Sequence, residues 1–111
     1  MSRTELYDRP PARFAWLAVV RGPFQGRDLR LQEQTDIGRS PRDPTRDALV
    51  LPDQAVSTEH ARIKLEGQHF VLYDLGSLNG TMVNDVRVER CILVDGDRIR
   101  IGDHEIVFKC I

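Results

Sequence analysis

Three polar segments of the 111-residue sequence carry side chains that could hold an anion. One segment contains Arg39, the second contains the pair Ser57 and Thr58, and the third contains Asn79. These side chains offer hydrogen-bond donors and one permanent positive charge, because a guanidinium stays protonated at physiological pH. If the three segments meet in space, the set suits binding of an anion and is poorly equipped to break a bond.

Catalysis and metal binding are the alternatives for these residues. His60 lies three residues after Ser57, but a Ser–His nucleophile also needs a third orienting group and an oxyanion site. No nucleophile-elbow sequence surrounds Ser57. His60, His69, His104 and Cys91 share no ligand spacing. We therefore predict a protein that is not an enzyme and that uses no metal and no cofactor.

Composition predicts one globular domain without a membrane or nucleic-acid partner. Hydrophobic residues make up 41% and charged residues 30%, and the formal net charge is −1. No apolar run approaches the roughly 18 residues that a membrane span needs, and the N-terminal residues lack the apolar core of a signal peptide. Two cysteines, Cys91 and Cys110, are too few for a disulfide scaffold. We expect a cytoplasmic monomer.

The hydrophobic periodicity predicts an all-β fold. Apolar and polar residues alternate in RDLRLQ, HARIKLEG and DRIRIG, and RFAWLAVV and HFVLYDL are typical of strands. No stretch of ten or more residues has helical spacing. Short strands separated by turn signals indicate a β-sandwich or a barrel. Most aromatic residues fall inside the strand segments and are expected in the core: Phe14, Trp16, Phe24, Phe70, Tyr73 and Phe108.

Four segments together resemble the forkhead-associated (FHA) domain family over roughly residues 14 to 109: IGRSP, LPDQAVSTEHARI, DLGSLNGTMVN and LVDGDRIRIGDHEIVF. The family signature is Gly-Arg, then Ser-x-x-His, then Asn-Gly, in that order. The resemblance implies an FHA-like β-sandwich of two twisted, mostly antiparallel sheets with about eleven short strands. It also implies a phosphothreonine-peptide binding module, acting as a signalling adaptor downstream of a Ser/Thr protein kinase.

The resemblance assigns phosphothreonine binding to Arg39, Ser57, Thr58 and Asn79. Arg39 is expected to contact the phosphate, which carries about −1.5 to −2 charges near neutral pH. Ser57 is expected to add a hydroxyl donor, and Thr58 to lie against the phosphate or the phosphothreonine without adding charge. Asn79 is expected to hydrogen-bond the backbone of the bound peptide through its amide.

Three further residues are expected to support this site. His60 is expected to bridge the loops from beneath, and Gly38 and Gly80 to permit tight loop geometry, with Gly80 the better candidate for a positive φ. This interpretation explains why the stretch DLGSLNGTMVND holds two Gly and two Asn. The turn has to present Asn79 outward at a fixed angle.

Ser40 and Leu78 are expected at the rim of the site. Many family members have Thr where this sequence has Leu78. If that Thr contacts the phosphothreonine, Leu78 is expected to lose a hydrogen bond there. Leu78 and the uncharged Thr58 keep a second interpretation open, in which the sandwich is a phospho-independent interaction or assembly module. Two arginines in the first loop, Arg42 and Arg46, are expected either to contact acidic peptide residues or only to solvate the loop.

The domain organisation is expected to be simple. Residues 1–12 are expected to form a flexible N-terminal arm and residues 13–111 the FHA-like domain. Thr4 in the arm has two interpretations, a solvated residue or a phosphorylation site that folds back onto the chain's own binding site.

Overall fold

The computed structural model describes residues 14–42 and 47–111, and these residues form eleven strands and no helix. The all-β class and the strand number expected from the sequence are therefore confirmed. The predicted arm, Thr4 and Arg46 lie outside the described residues. In chain order the strands are β1 Ala15–Arg21, β2 Asp28–Arg30, β3 Gln34–Gly38, β4 Asp47–Val50, β5 Ala61–Glu66, β6 His69–Asp74, β7 Thr81–Val83, β8 Val86–Arg87, β9 Arg90–Ile92, β10 Arg98–Ile101 and β11 His104–Cys110.

The strands form two sheets that are mostly antiparallel. The six-stranded sheet has the order β2-β1-β11-β10-β7-β8, and the five-stranded sheet has the order β4-β3-β5-β6-β9. The pairing of β3 with β4 is parallel, whereas the other pairings assigned within the described residues are antiparallel. This arrangement confirms the predicted sandwich of two mostly antiparallel sheets.

The hydrophobic core lies between the two sheets, because each strand turns alternate side chains inward. On β10, Ile99 and Ile101 are fully buried, and Arg98 and Arg100 between and beside them are exposed. Phe70 on β6 and Phe108 on β11 meet across the core with their ring centroids 5.9 Å apart. Two inner faces packed in this way provide the rigid frame for the loops.

The expectation that the aromatic residues belong to the core is wrong for Phe14 and Trp16. Trp16 is 37% exposed because it lies on the outer face of β1, between the buried Ala15 and Leu17. Phe14 is 48% exposed, and the guanidinium of Arg30 lies 5.0 Å from its ring centroid. The apolar run of β1 suggested burial on both faces, but the structure buries only one.

Three connections meet at one end of the sandwich. The last residue pair of β3 with β5 is Ile37 with Ala61, and Ala61 also pairs with Asp74 at the end of β6. The segments that follow β3, precede β5 and follow β6 therefore start side by side. This register brings the three polar segments of the sequence to the same edge.

Candidate functional site

Arg39 and Thr58 join the first two loops. The backbone N–H of Arg39 donates to the carbonyl oxygen of Ser57 at 2.9 Å, and that of Ser40 donates to Thr58 at 3.2 Å. The Arg39 side chain adds a third bond, from Nη2 to Thr58 Oγ1 at 3.2 Å. These contacts fix the direction of the guanidinium.

The positive charge of Arg39 is not neutralised inside the described part of the chain. Arg39 is exposed, and no carboxylate of residues 14–42 or 47–111 forms an ion pair with it. Because Thr58 Oγ1 accepts a bond from Arg39, the Thr58 hydroxyl proton is left to donate elsewhere. An arriving anion therefore meets a full charge and a hydroxyl donor side by side.

Ser57 and Asn79 join the second loop to the turn after β6. The backbone N–H of Leu78 donates to Ser57 Oγ at 3.1 Å, which leaves the Ser57 hydroxyl proton for another acceptor. Asn79 is exposed, and its Nδ2 donates to the carbonyl oxygen of Ala55 at 3.0 Å. Ala55 was not among the predicted site residues, since a backbone carbonyl has no signature in the sequence.

His60 lies fully buried beneath these loops and bonds to several of them. Its Nδ1 accepts the backbone N–H of Ser57 at 3.0 Å, so the ring proton must be on Nε2, which donates to the carbonyl oxygen of Gly80 at 2.8 Å. The backbone N–H of His60 donates to Ile37 at 3.0 Å, and its carbonyl accepts from Leu75 at 2.9 Å. His60 thus makes hydrogen bonds to four other residues: Ile37, Ser57, Leu75 and Gly80.

The two predicted glycines are required for different reasons. Gly80 has a φ of +87°, a conformation that favours glycine. Gly38 has no such angle, but a Cβ on it would lie 2.2 Å from the carbonyl oxygen of Thr58. Gly38 thus allows the first two loops to approach each other closely.

Asp74 holds the turn that carries Asn79, and it was missed at the sequence level. Its Oδ2 accepts the backbone N–H groups of Gly76 and Ser77, both at 3.0 Å, and its Oδ1 accepts the hydroxyls of Ser77 at 2.5 Å and Thr81 at 2.7 Å. The Ser77 hydroxyl oxygen in turn accepts the backbone N–H of Gly80 at 3.0 Å. An Asp at the first position of a turn was the available signal.

These hydrogen bonds also set the acidity of Asp74. Burial alone raises the pKa of this carboxyl, but the hydrogen bonds from Ser77 and Thr81 outweigh it, and the pKa lies below its ordinary value. Asp74 therefore stays ionised down to a lower pH than a free aspartate.

The structure brings the four predicted binding residues to one end of the sandwich. Arg39, Ser57 and Thr58 contact one another directly, and Asn79 is tied to the same loop through Ala55. The two rim residues, Ser40 and Leu78, are exposed, Leu78 to 85%. We call the group Arg39, Ser57, Thr58 and Asn79 the anion cup.

Features of other protein classes are not found in the described residues. Within residues 14–42 and 47–111, no group of three or more His, Cys, Asp or Glu side chains is placed to hold a metal ion. The same part of the chain has no helix of the length and hydrophobicity needed to cross a bilayer.

An all-β sandwich that carries converging donors on its loops defines a binding module held by a rigid frame. The FHA domain family model matches residues 35–102. The chain therefore belongs to the FHA domain family, as the resemblance of its motifs indicated.

Curated relatives include regulators of metabolism. The glycogen accumulation regulator GarA of Mycolicibacterium smegmatis is 42% identical over 99 residues, which cover 88% of this chain and 60% of that protein. The oxoglutarate dehydrogenase inhibitor of Corynebacterium glutamicum is 39% identical over 99 residues, with coverage of 88% and 66%. This chain spans about 60% of the length of the GarA proteins that it matches.

Solved structures show the same fold. A structure from a study of phosphothreonine-dependent FHA domain interactions has a TM-score of 0.76 and 37% identity, and covers 89% of this chain and 98% of that one. The structure of Mycobacterium tuberculosis EmbR in complex with a low-affinity phosphopeptide has a TM-score of 0.75 and 36% identity, and covers 98% of this chain and 27% of that one.

Proposed function

We propose that this protein binds phosphothreonine-containing peptides through the anion cup and acts as a signalling adaptor downstream of a Ser/Thr protein kinase. The observation that carries the proposal is the Arg39 guanidinium, which is exposed, unpaired within the described residues and held beside the Thr58 hydroxyl. A phosphate with about −1.5 to −2 charges complements this arrangement. Asn79 then hydrogen-bonds the peptide backbone.

Membership of the family and the nature of its relatives support this proposal. One structural neighbour was studied for phosphothreonine-dependent FHA domain interactions, and EmbR was solved with a phosphopeptide. GarA is named a regulator of glycogen accumulation. We extend phosphopeptide binding and a regulatory role to this chain. We also propose that the protein is non-catalytic, monomeric and cytoplasmic.

The direct test is to measure binding of a phosphothreonine peptide library by fluorescence anisotropy, with phosphoserine and unmodified versions alongside. Wild type should bind only phosphorylated peptides. Arg39→Ala should lose at least roughly tenfold in affinity, since a hydrogen bond to a charged group contributes about 1.5–3 kcal/mol.

The matched control is Arg30→Ala. Arg30 on β2 pairs with Trp16 near the start of β1, at the end of the sandwich away from the cup. This variant should bind as wild type does. Full binding by Arg39→Ala would contradict the proposal.

A second candidate function is phospho-independent interaction on the same fold. Leu78, 85% exposed beside the cup, favours it because an apolar side chain adds no bond to phosphate. Equal affinity for phosphorylated and unmodified forms of one partner would support this alternative and argue against the first.

A further inference from the structure

A second cationic position lies beside the cup, on the outer face of the six-stranded sheet. The Arg87 side chain packs against Gly80, and a Cβ added to Gly80 would lie 2.8 Å from Arg87 Nε and 2.9 Å from its Cζ. Gly80 directly follows Asn79, the residue expected to hold the peptide backbone. The Arg87 guanidinium therefore lies next to the path of a peptide bound over Asn79.

The register of the sheet places another arginine in the same row. Met82 pairs with Arg87 on one side and with Arg100 on the other. Directly opposed residues of antiparallel strands point to the same face. Met82 lies between the buried Thr81 and Val83, so this row faces outward. With strands about 4.8 Å apart, the Cα atoms of the two arginines are roughly 10 Å apart.

The row holds charge that the described residues do not neutralise. Arg87 is exposed and forms no ion pair or side-chain hydrogen bond within residues 14–42 and 47–111. Arg100 pairs with Asp85 at 3.5 Å, but the Asp85 side chain is 82% exposed, and such pairs contribute little in water. Glu105 pairs with Arg100 across β10 and β11, but its carboxylate accepts a hydrogen bond from Arg98 at 2.8 Å.

The β7–β8 turn holds Arg87 in this place. Asn84 and Asp85 at its tip have φ angles of +51° and +67°, the geometry of a tight two-residue hairpin loop. Asn84 is further fixed because its Nδ2 donates to Asp97 at 2.9 Å and its Oδ1 accepts the Arg98 N–H at 3.0 Å. A turn fixed in this way sets which residue opposes Met82.

We propose that Arg87, assisted by Arg100, binds an acidic side chain that flanks the phosphothreonine in the partner. This inference rests on the proposed function and adds its sequence specificity. The cup recognises the phosphate, whereas the arginine row selects among phosphorylated sequences by their neighbouring charge. Because the row is exposed, we expect its effect to be modest and to decrease as salt screens it.

The test uses one phosphothreonine peptide with alanine at the flanking positions, and a series in which Glu replaces alanine at each position in turn. In wild type, Glu at one or two positions should raise the affinity roughly three- to tenfold at low ionic strength. Arg87→Gln should remove that gain and leave the affinity for the all-alanine peptide nearly unchanged. Arg100→Gln should remove part of it, and Arg87→Lys should retain part.

Arg30→Gln is the matched control, because it removes the same charge far from the cup. It should keep the full preference for Glu. If Arg87→Gln keeps the wild-type preference, or if no Glu position raises the affinity, the inference is wrong and the proposed function still stands. If wild type binds none of the phosphopeptides, both are wrong.

Discussion

His60 contributes no charge to the anion cup, but its ring bonds to the backbone of Ser57 in the second loop and of Gly80 after Asn79. With Nδ1 accepting from Ser57 and Nε2 donating to Gly80, only the neutral ring with its proton on Nε2 satisfies both contacts. A second proton would have to sit on Nδ1, facing the Ser57 N–H. The neutral His60 ring therefore links the second loop to the turn after β6.

The close approach of Gly38 to the Thr58 backbone predicts the effect of adding a side chain at this position. Gly38→Ala should lower the free energy of unfolding by about 3 kcal/mol, because the new Cβ would lie 2.2 Å from the Thr58 carbonyl oxygen and force the loops apart. The same movement should weaken phosphopeptide binding, since Thr58 belongs to the cup. Urea denaturation and peptide titration measure the two effects.

Gly67→Ala is the control for this substitution. Gly67 has a φ of +66° with nothing within 4 Å of its Cβ position, so the change costs only backbone strain, about 1 kcal/mol. Its peptide affinity should equal that of wild type. Equal stability losses in the two variants would contradict the steric explanation.

The turn between β6 and β7 owes its shape to one carboxylate. Asp74 accepts four hydrogen bonds, three from the turn residues Gly76 and Ser77 and one from Thr81 at the start of β7. The Ser77 hydroxyl oxygen accepts the backbone N–H of Gly80, and the carbonyl oxygen of Gly80 accepts a hydrogen bond from His60. The turn signals of DLGSLNG thus describe a loop that is fixed internally as well as at its ends.

The lowered pKa of Asp74 predicts a pH dependence of stability. A group whose pKa is lower in the folded state stabilises the fold above its unfolded pKa, about 3.9 for Asp, and loses that contribution as the pH falls through the folded value. Asp74→Asn should therefore be less stable than wild type by about 2 kcal/mol at pH 7. The difference should shrink below about pH 3.

Urea denaturation at both pH values checks this prediction. Asp28→Asn, an exposed carboxylate on the edge strand β2, should show no comparable difference at either pH. A stability gap for Asp74→Asn that stays the same at low pH would show that the side chain acts through shape and not through charge.

The sequence could predict strands and their buried faces, but not how the strands pair. The alternation of Ile99 and Ile101 with Arg98 and Arg100 predicted β10 and its buried face correctly. The parallel pairing of β3 with β4 could not be predicted, because periodicity shows which face is buried and not the direction of the neighbouring strand. The contacts of Ala55 and Arg87 escaped prediction for a related reason, since they depend on which segments meet after folding.

The core and the cup are separate parts of the molecule, which predicts that stability can change without loss of binding. Ile106→Val removes one methylene from a fully buried position on β11 and should lower the free energy of unfolding by about 1 kcal/mol. A domain with a stability of about 5–15 kcal/mol remains almost entirely folded after such a loss. Phosphopeptide affinity should stay at the wild-type value, and a tenfold loss would show that the core and the loops are coupled.

Phe14 and Ile111 exchange two backbone hydrogen bonds, from Phe14 N to Ile111 O at 3.3 Å and from Ile111 N to Phe14 O at 2.9 Å. β1 leads away from this pair and β11 leads towards it, so both strands reach the cup only at their other ends. A tag, a linker or a sensor surface attached at either residue is therefore placed at the pole opposite the loops. The domain can be attached through both residues at once, and the anion cup at the opposite end stays accessible.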